Sequence, residues 1–206
     1  MNTIAALLLV FGLGPERTYY AEIPQTSMVD SIRQFPRVEG SNLEGRRFTL
    51  PTDFEGEYNI VLVAFRREQQ NDVDTWLPFL REVATPARHV RVYELPTLNK
   101  TYRFMRGFID GGMSRGIPER ATREATITLY IDKSPFKKAL AIATEDRIST
   151  FLVARDGRIL WRTDGRFTAG AAAGLAATLD SLESHAGTVL PTGVPARIPA
   201  AVHASR

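Results

Sequence analysis

The sequence contains no cysteine. That excludes disulfides, thiolate catalysis, zinc–thiolate sites and iron–sulfur clusters together, and it leaves the compartment open, because a cysteine-free chain suits either redox environment. Histidine is scarce: His89, His185 and His203 stand far apart, which argues against a histidine-built metal site. Lysine is scarce too, with Lys100, Lys133, Lys137 and Lys138 set against 22 arginines. Genomic base composition is the plain explanation. The functional one is a surface suited to bidentate contacts with carboxylate, phosphate or lipid headgroups. Net charge is only +3 and no basic run is interleaved with aromatics, so nucleic acid is not an expected partner. No apolar run approaches the roughly 20 residues of a membrane-spanning helix.

What is present fits one folded domain with two unlike ends. A chain of 206 residues, 44% hydrophobic and 24% charged, has ordinary globular composition and enough length to bury a core. Residues 1–35 read as an apolar segment and extended arm. The run Ile4–Leu13, carrying Leu7, Leu8, Leu9 and Phe11, has the length of a signal-peptide core. It lacks a preceding Lys or Arg, and Gly14-Pro15-Glu16-Arg17 is no small-residue cleavage site. The expectation is therefore a segment docked on a membrane or partner, with a signal peptide or fold packing as alternatives. Residues 185–206 read as an extended tail, since Pro191, Pro195 and Pro199 recur every fourth residue and forbid a helix.

Residues 36–184 alternate strand and helix patterns. Phe48-Thr49-Leu50 reads as a short edge strand closed by Pro51. Asn59–Phe65 is a β-branched apolar run, the mark of a buried parallel strand. Val73, Trp76, Leu77, Leu80 and Val83 predict a helix over 71–84. A second strand is expected over His89–Leu95. A second helix is expected over 98–113, with Phe104, Phe108 and Ile109 as its apolar members and Gly111-Gly112 as its end. Ile127–Ile131 reads as a third strand, and Pro135 as sitting at a helix start. Two apolar runs flanking Arg155-Asp156-Gly157 predict a hairpin, and Thr168 is a candidate N-cap for a last, Ala-rich helix. This order implies an α/β fold: a thioredoxin-like mixed sheet with helices on both faces and an inserted strand and helix before the C-terminal hairpin.

The sequence resembles membrane-associated bacterial thiol oxidoreductases at particular positions. Their buried strand ends in Phe, here Phe65, and is followed by Trp-Cys-x-x-Cys and a helix proline, here Pro78. Counting between those anchors puts Gln69 at the tryptophan and Gln70 and Val73 at the two cysteines. The hairpin Ile148–Gly157 places Ile148 at the family's cis-proline. Neither Gln nor Val can act as a thiolate. A second resemblance is carried by Phe65, Trp76, the 98–113 helix, the Arg123–Ile142 insert and Leu152–Arg162 leading to Gly165. It is similar to the mitochondrial ATP-synthase assembly-factor family of thioredoxin-like proteins, although that family has Ile-Arg-Trp where this chain has Leu160-Trp161-Arg162. The resemblance implies a protein that is not an enzyme and that helps a membrane complex assemble or persist.

Candidate partner-binding residues follow. Arg66, Arg67, Gln69 and Gln70 lie in the polar loop where the family's active site would be, with Asn71 or Asp72 as the expected helix cap. Arg103 and Arg106 lie among Phe104, Met105 and Phe108, in a segment that either covers the sheet or presents a basic, apolar surface to a membrane or membrane protein. Leu7, Leu8, Leu9, Phe11, Pro191, Pro195 and Pro199 are the attachments expected at the ends. Trp76 is expected in the core, and Trp161 on either face. Glu94 and Asp132 are placed at strand ends, where two carboxylates could serve acid–base chemistry or a hard metal. The expected protein is a redox-inactive accessory subunit of a membrane-protein complex. It is without cofactor or metal and peripheral to the membrane, on the cytoplasmic rather than the exported side. A thioredoxin-fold enzyme using non-thiol residues and a soluble peptide-binding module are the alternatives.

Overall fold

Residues 34–187 are described by a computed structural model, in which seven strands form one mixed sheet. The strands are β1 (Val38–Asn42), β2 (Arg47–Leu50), β3 (Tyr58–Ala64), β4 (Val90–Asn99), β5 (Ile127–Ile131), β6 (Ser149–Ala154) and β7 (Ile159–Asp164). Their order across the sheet is β2-β1-β5-β4-β3-β6-β7. β3, β4 and β5 run parallel, while β1, β2, β6 and β7 add as antiparallel neighbours. The helices are α1 (Gln70–Val83), α2 (Arg106–Gly116), α3 (Arg120–Ala125), α4 (Lys133–Ala139) and α5 (Ala169–Gly187).

The period-2 alternation of β3 sorts its side chains into two cores. Val61 and Val63 join Phe35, Phe54, Leu95, Leu129, Phe136 and Phe151 on one face, under α4. Ile60 and Leu62 join Val73, Trp76, Leu80, Ile148, Leu175 and Leu179 on the other, under α1 and α5. Helices thus cover both faces, as the crossover rule requires. Trp76 is fully buried, and its Nε1 donates to the Gly165 carbonyl at 3.1 Å. Trp161 is half-buried on the same face, its ring centroid 6.4 Å from that of Trp76. The hairpin forms at the Asp-Gly turn with Gly157 at φ 88°, and a Cβ there would lie 2.7 Å from Pro51. The Thr168 hydroxyl accepts from the Ala171 N–H at 3.2 Å, in keeping with its expected role as a cap.

The sheet edge at β2 is closed from within the chain at Thr49. The Thr49 N–H donates to Asp53 Oδ2 at 2.6 Å, and its carbonyl accepts the Asp53 N–H at 3.0 Å. The outward backbone groups of Thr49 are therefore already engaged.

Several expectations are corrected. β1 was not anticipated. β4 runs to Asn99 rather than stopping at Leu95, with Pro96 where its pairing passes from β3 to β5. The single helix expected over 98–113 is instead the end of β4, a 3₁₀ turn over Lys100–Met105 and then α2, which continues past Gly111-Gly112 to Gly116. Because β4 is longer, Glu94 lies within it rather than at its end.

Candidate functional site

The C-terminal ends of β3, β4 and β5 open at one edge of the sheet, where ligands of open α/β sheets bind. Three segments meet there. After β3, Arg66 is extended and Arg67–Gln69 form a 3₁₀ turn that runs directly into α1. No side chain caps α1, so the expected cap at Asn71 or Asp72 is corrected: both residues lie inside the helix. After β4 comes the 3₁₀ turn and α2, with Asn99 Oδ1 accepting the Thr101 N–H at 3.0 Å. After β5, the Asp132 carboxylate accepts the Ser134 N–H at 3.2 Å and caps α4.

The positions matching the thiol pair hold no reactive group. Val73 and Ile148 are buried in the α1–α5 core with Trp76, whose ring meets Phe167 edge-on at 5.5 Å. Gln70 is exposed and donates to Asp74 Oδ1 at 3.1 Å. Gln69 is not a surface residue, which corrects its place among the candidate partner contacts. It is 5% exposed, its Oε1 accepts from the Phe65 and Arg66 N–H groups at 2.7 and 3.2 Å, and its Nε2 donates to the Glu145 carbonyl at 2.7 Å. Three of its four hydrogen-bonding positions are turned inward, locking the end of β3 to the loop before β6.

Charges around this edge are largely paired. Arg66 meets Asp146 at 2.6 Å, both well exposed, and Lys100 meets Asp132 at 3.5 Å. Lys133 and Lys137 converge on Glu145 at 2.6 and 2.9 Å. Burial pushes the Glu145 carboxyl up, but the two ammonium groups outweigh it and hold the group below its usual value. Glu94 is the opposite case. Burial pushes it up, Asp74 adds to the rise, and only the Gln70 amide works against it. Asp132 and Glu94 are thus a cap and a mid-strand residue. Among the described residues no group of three or more His, Asp or Glu side chains could hold a metal ion.

The 3₁₀ turn and the start of α2 are different in character. Phe104 is 85% exposed, Phe108 74% and Tyr102 50%, with Met105 also in contact with solvent. Phe104 and Phe108 therefore do not cover the sheet, as a helix packed over 98–113 would have required. Arg103 is exposed among them. Arg106 is half-buried, pairs with Asp110 at 3.2 Å and lies 5.9 Å from the Tyr130 ring centroid. The Tyr130 hydroxyl donates to Asp110 Oδ1 at 2.8 Å, which fastens α2 to β5. Arg67 is exposed as expected. Leu7, Leu8, Leu9, Phe11, Pro191, Pro195 and Pro199 lie outside the described residues. Among those described, no helix is long and apolar enough to cross a membrane.

No protein-family model and no curated protein matches the sequence. Solved structures do match in shape. A member of the Sco family of cytochrome c oxidase assembly proteins superposes with a TM-score of 0.52 at 11% identity, over 74% of this chain and 94% of that one. A putative electron transfer protein from Aquifex aeolicus gives 0.50 at 11% identity, over 72% and 95%. The thioredoxin domain of a thiol-disulfide oxidoreductase from Bacteroides vulgatus gives 0.47 at 16% identity, over 75% and 96%. The expectation that the chain is not an enzyme is corrected: a thiol-disulfide oxidoreductase stands among the structural neighbours. Lack of cysteine removes their thiol chemistry and nothing more. At these identities the likeness speaks for architecture alone, and that architecture, with its seven-stranded mixed sheet and helices on both faces, is thioredoxin-like.

Proposed function

We propose that this chain is a docking subunit that binds, and so helps to assemble or hold, a membrane-protein complex, and that the segment Tyr102–Phe108 is its principal contact. The observation that carries this reading is the exposure of Phe104 and Phe108 on successive turns, at the edge of the sheet where the fold places its ligands. Burying one such ring on a partner is worth about 1.5–3 kcal/mol, and aromatic and arginine side chains dominate protein interfaces. Arg103 adds the cationic part of that surface, beside Arg106, which Asp110 already pairs. The apolar run with Leu7, Leu8, Leu9 and Phe11 and the tail with Pro191, Pro195 and Pro199 are further attachments in this scheme. An energy-transducing complex is the favoured target. The resemblance to ATP-synthase assembly factors supports that choice, and a structural neighbour described as a cytochrome c oxidase assembly protein is in keeping with it.

The test is affinity purification of the full chain from mildly solubilised native membranes. The wild type should bring down one membrane complex in stoichiometric amount. Phe104→Ser combined with Phe108→Ser should reduce recovery about tenfold or more and leave thermal stability unchanged. Recovery of the same complex by the double variant would overturn the reading.

A further inference from the structure

Beneath the aromatic turn, the sheet face carried by β5, β1 and β2 holds a pocket of about 420 Å³. Thr128 alternates with the buried Ile127 and Leu129, so it points to the opposite face and lines the pocket. Glu39 and Thr49 face each other across β1 and β2 and line it as well. Three arginines from three different elements complete it: Arg47 from β2, Arg103 from the 3₁₀ turn and Arg106 from α2.

These arginines are not equivalent. Arg106 is committed to Asp110 and the Tyr130 ring, and forms a fixed wall. Arg47 and Arg103 have no hydrogen-bond or ion-pair partner for their guanidinium groups among the described residues, although carboxylates pair with Arg46, Arg66, Arg88 and Arg123 elsewhere. The Thr128 hydroxyl is buried and likewise has no partner. A buried hydroxyl left unbonded costs about 1–3 kcal/mol, so an unused donor beside two unused guanidinium forks is an arrangement awaiting an acceptor. Glu39 decides which. Its carboxylate repels a dianion such as phosphate, and a monoanion is repelled less. A planar carboxylate also matches the guanidinium fork oxygen for nitrogen.

We propose that this pocket receives a carboxylate side chain of a partner protein, held by Arg47 and Arg103 with the Thr128 hydroxyl beneath. Phe104 follows Arg103 directly, so the segment that fits has an acidic residue next to an apolar one. This deepens the docking reading: it rests on that reading for the partner, but its chemistry is measurable without one.

The experiment is an NMR titration of the isolated full chain with acetyl-tetraglutamate amide, and separately with inorganic phosphate, at low ionic strength. The peptide should move the Thr128 and Thr49 amides and the Arg47 and Arg103 Nε–H signals in a saturable way. Arg47→Gln with Arg103→Gln should weaken its binding about tenfold or more, and Arg120→Gln, on an exposed arginine already paired with Glu124, should not. Thr128→Val should weaken binding without lowering thermal stability, whereas a hydroxyl with only a packing role would leave binding untouched. Phosphate binding as tightly as the peptide, shifts spread evenly over surface arginines, or binding unchanged in the Arg47/Arg103 variant would each overturn the proposal. Peptide binding at the pocket together with a complex that survives Phe104→Ser/Phe108→Ser removes only the docking reading. Loss of the complex in that variant, together with a pocket that ignores the peptide, removes only this one.

Discussion

The Gln69 side-chain amide donates to the main-chain carbonyl of Glu145 at 2.7 Å, joining two loops 76 residues apart. Two further bonds, from the Phe65 and Arg66 N–H groups to its Oε1, make it the brace between the end of β3 and the approach to β6. Gln69→Ala should leave those part-buried backbone groups without their partner and lower stability by about 1–3 kcal/mol. Urea unfolding at neutral pH measures this, and a change below about 0.5 kcal/mol, the range of an ordinary surface substitution, would rule the brace out.

Glu145 makes stability acid-sensitive. Its carboxyl is held below the ordinary 4.5 by Lys133 and Lys137 despite opposing burial, so the folded state releases its proton more readily than the unfolded one. The contribution is fully present above the unfolded value and fades as pH falls through the folded one. Glu145→Gln should cost about 1 kcal/mol at pH 7 for these partly solvated pairs, and the two proteins should converge in stability as pH falls below the lowered folded-state value. A gap that persists into strong acid would assign the effect to packing.

Glu94 should behave in reverse. Burial raises its carboxyl above 4.5, so the folded state holds the proton more tightly, and stability is lost as pH rises through that raised value. Glu94→Gln should therefore increase the melting temperature at pH 7 and make little difference near pH 4. Melting curves at the two pH values decide it, and a lower melting temperature at pH 7 would contradict it.

Much of the scaffold was legible because its signals are short-range. β3 announces itself by consecutive β-branched residues, α1 by apolar spacing from Val73 to Val83, and the hairpin by Asp156-Gly157. β1 was illegible because Val38-Glu39-Gly40-Ser41-Asn42 has no apolar alternation. Ser41 and Asn42 are buried, and Gly40 is required because a Cβ there would sit 2.7 Å from Leu129. β4 overran its expected end because Pro96 normally closes a strand, yet here it stands where the pairing changes neighbours and a missing N–H is tolerated.

The candidate site was legible in composition and not in orientation. Phe104, Phe108 and Ile109 have the spacing of one helix face, and spacing does not say whether that face meets the sheet or solvent. Gln69 looked like one more polar loop residue, because its burial depends on Glu145, which only the tertiary fold brings near. Arg47 carries no sequence signal for the same reason: it meets Arg103 across a pocket that exists only once β1 and β2 are laid against β5.

The exchange between Thr49 and Asp53 has a consequence for how this protein can be recognised. A second chain cannot add a strand at Thr49, because the backbone groups it would need are already taken. Neighbouring copies crowded on a surface therefore have no open template through which to zip together at that point. Recognition at Thr49 falls to side chains, and single substitutions there can retune it without disturbing the sheet behind.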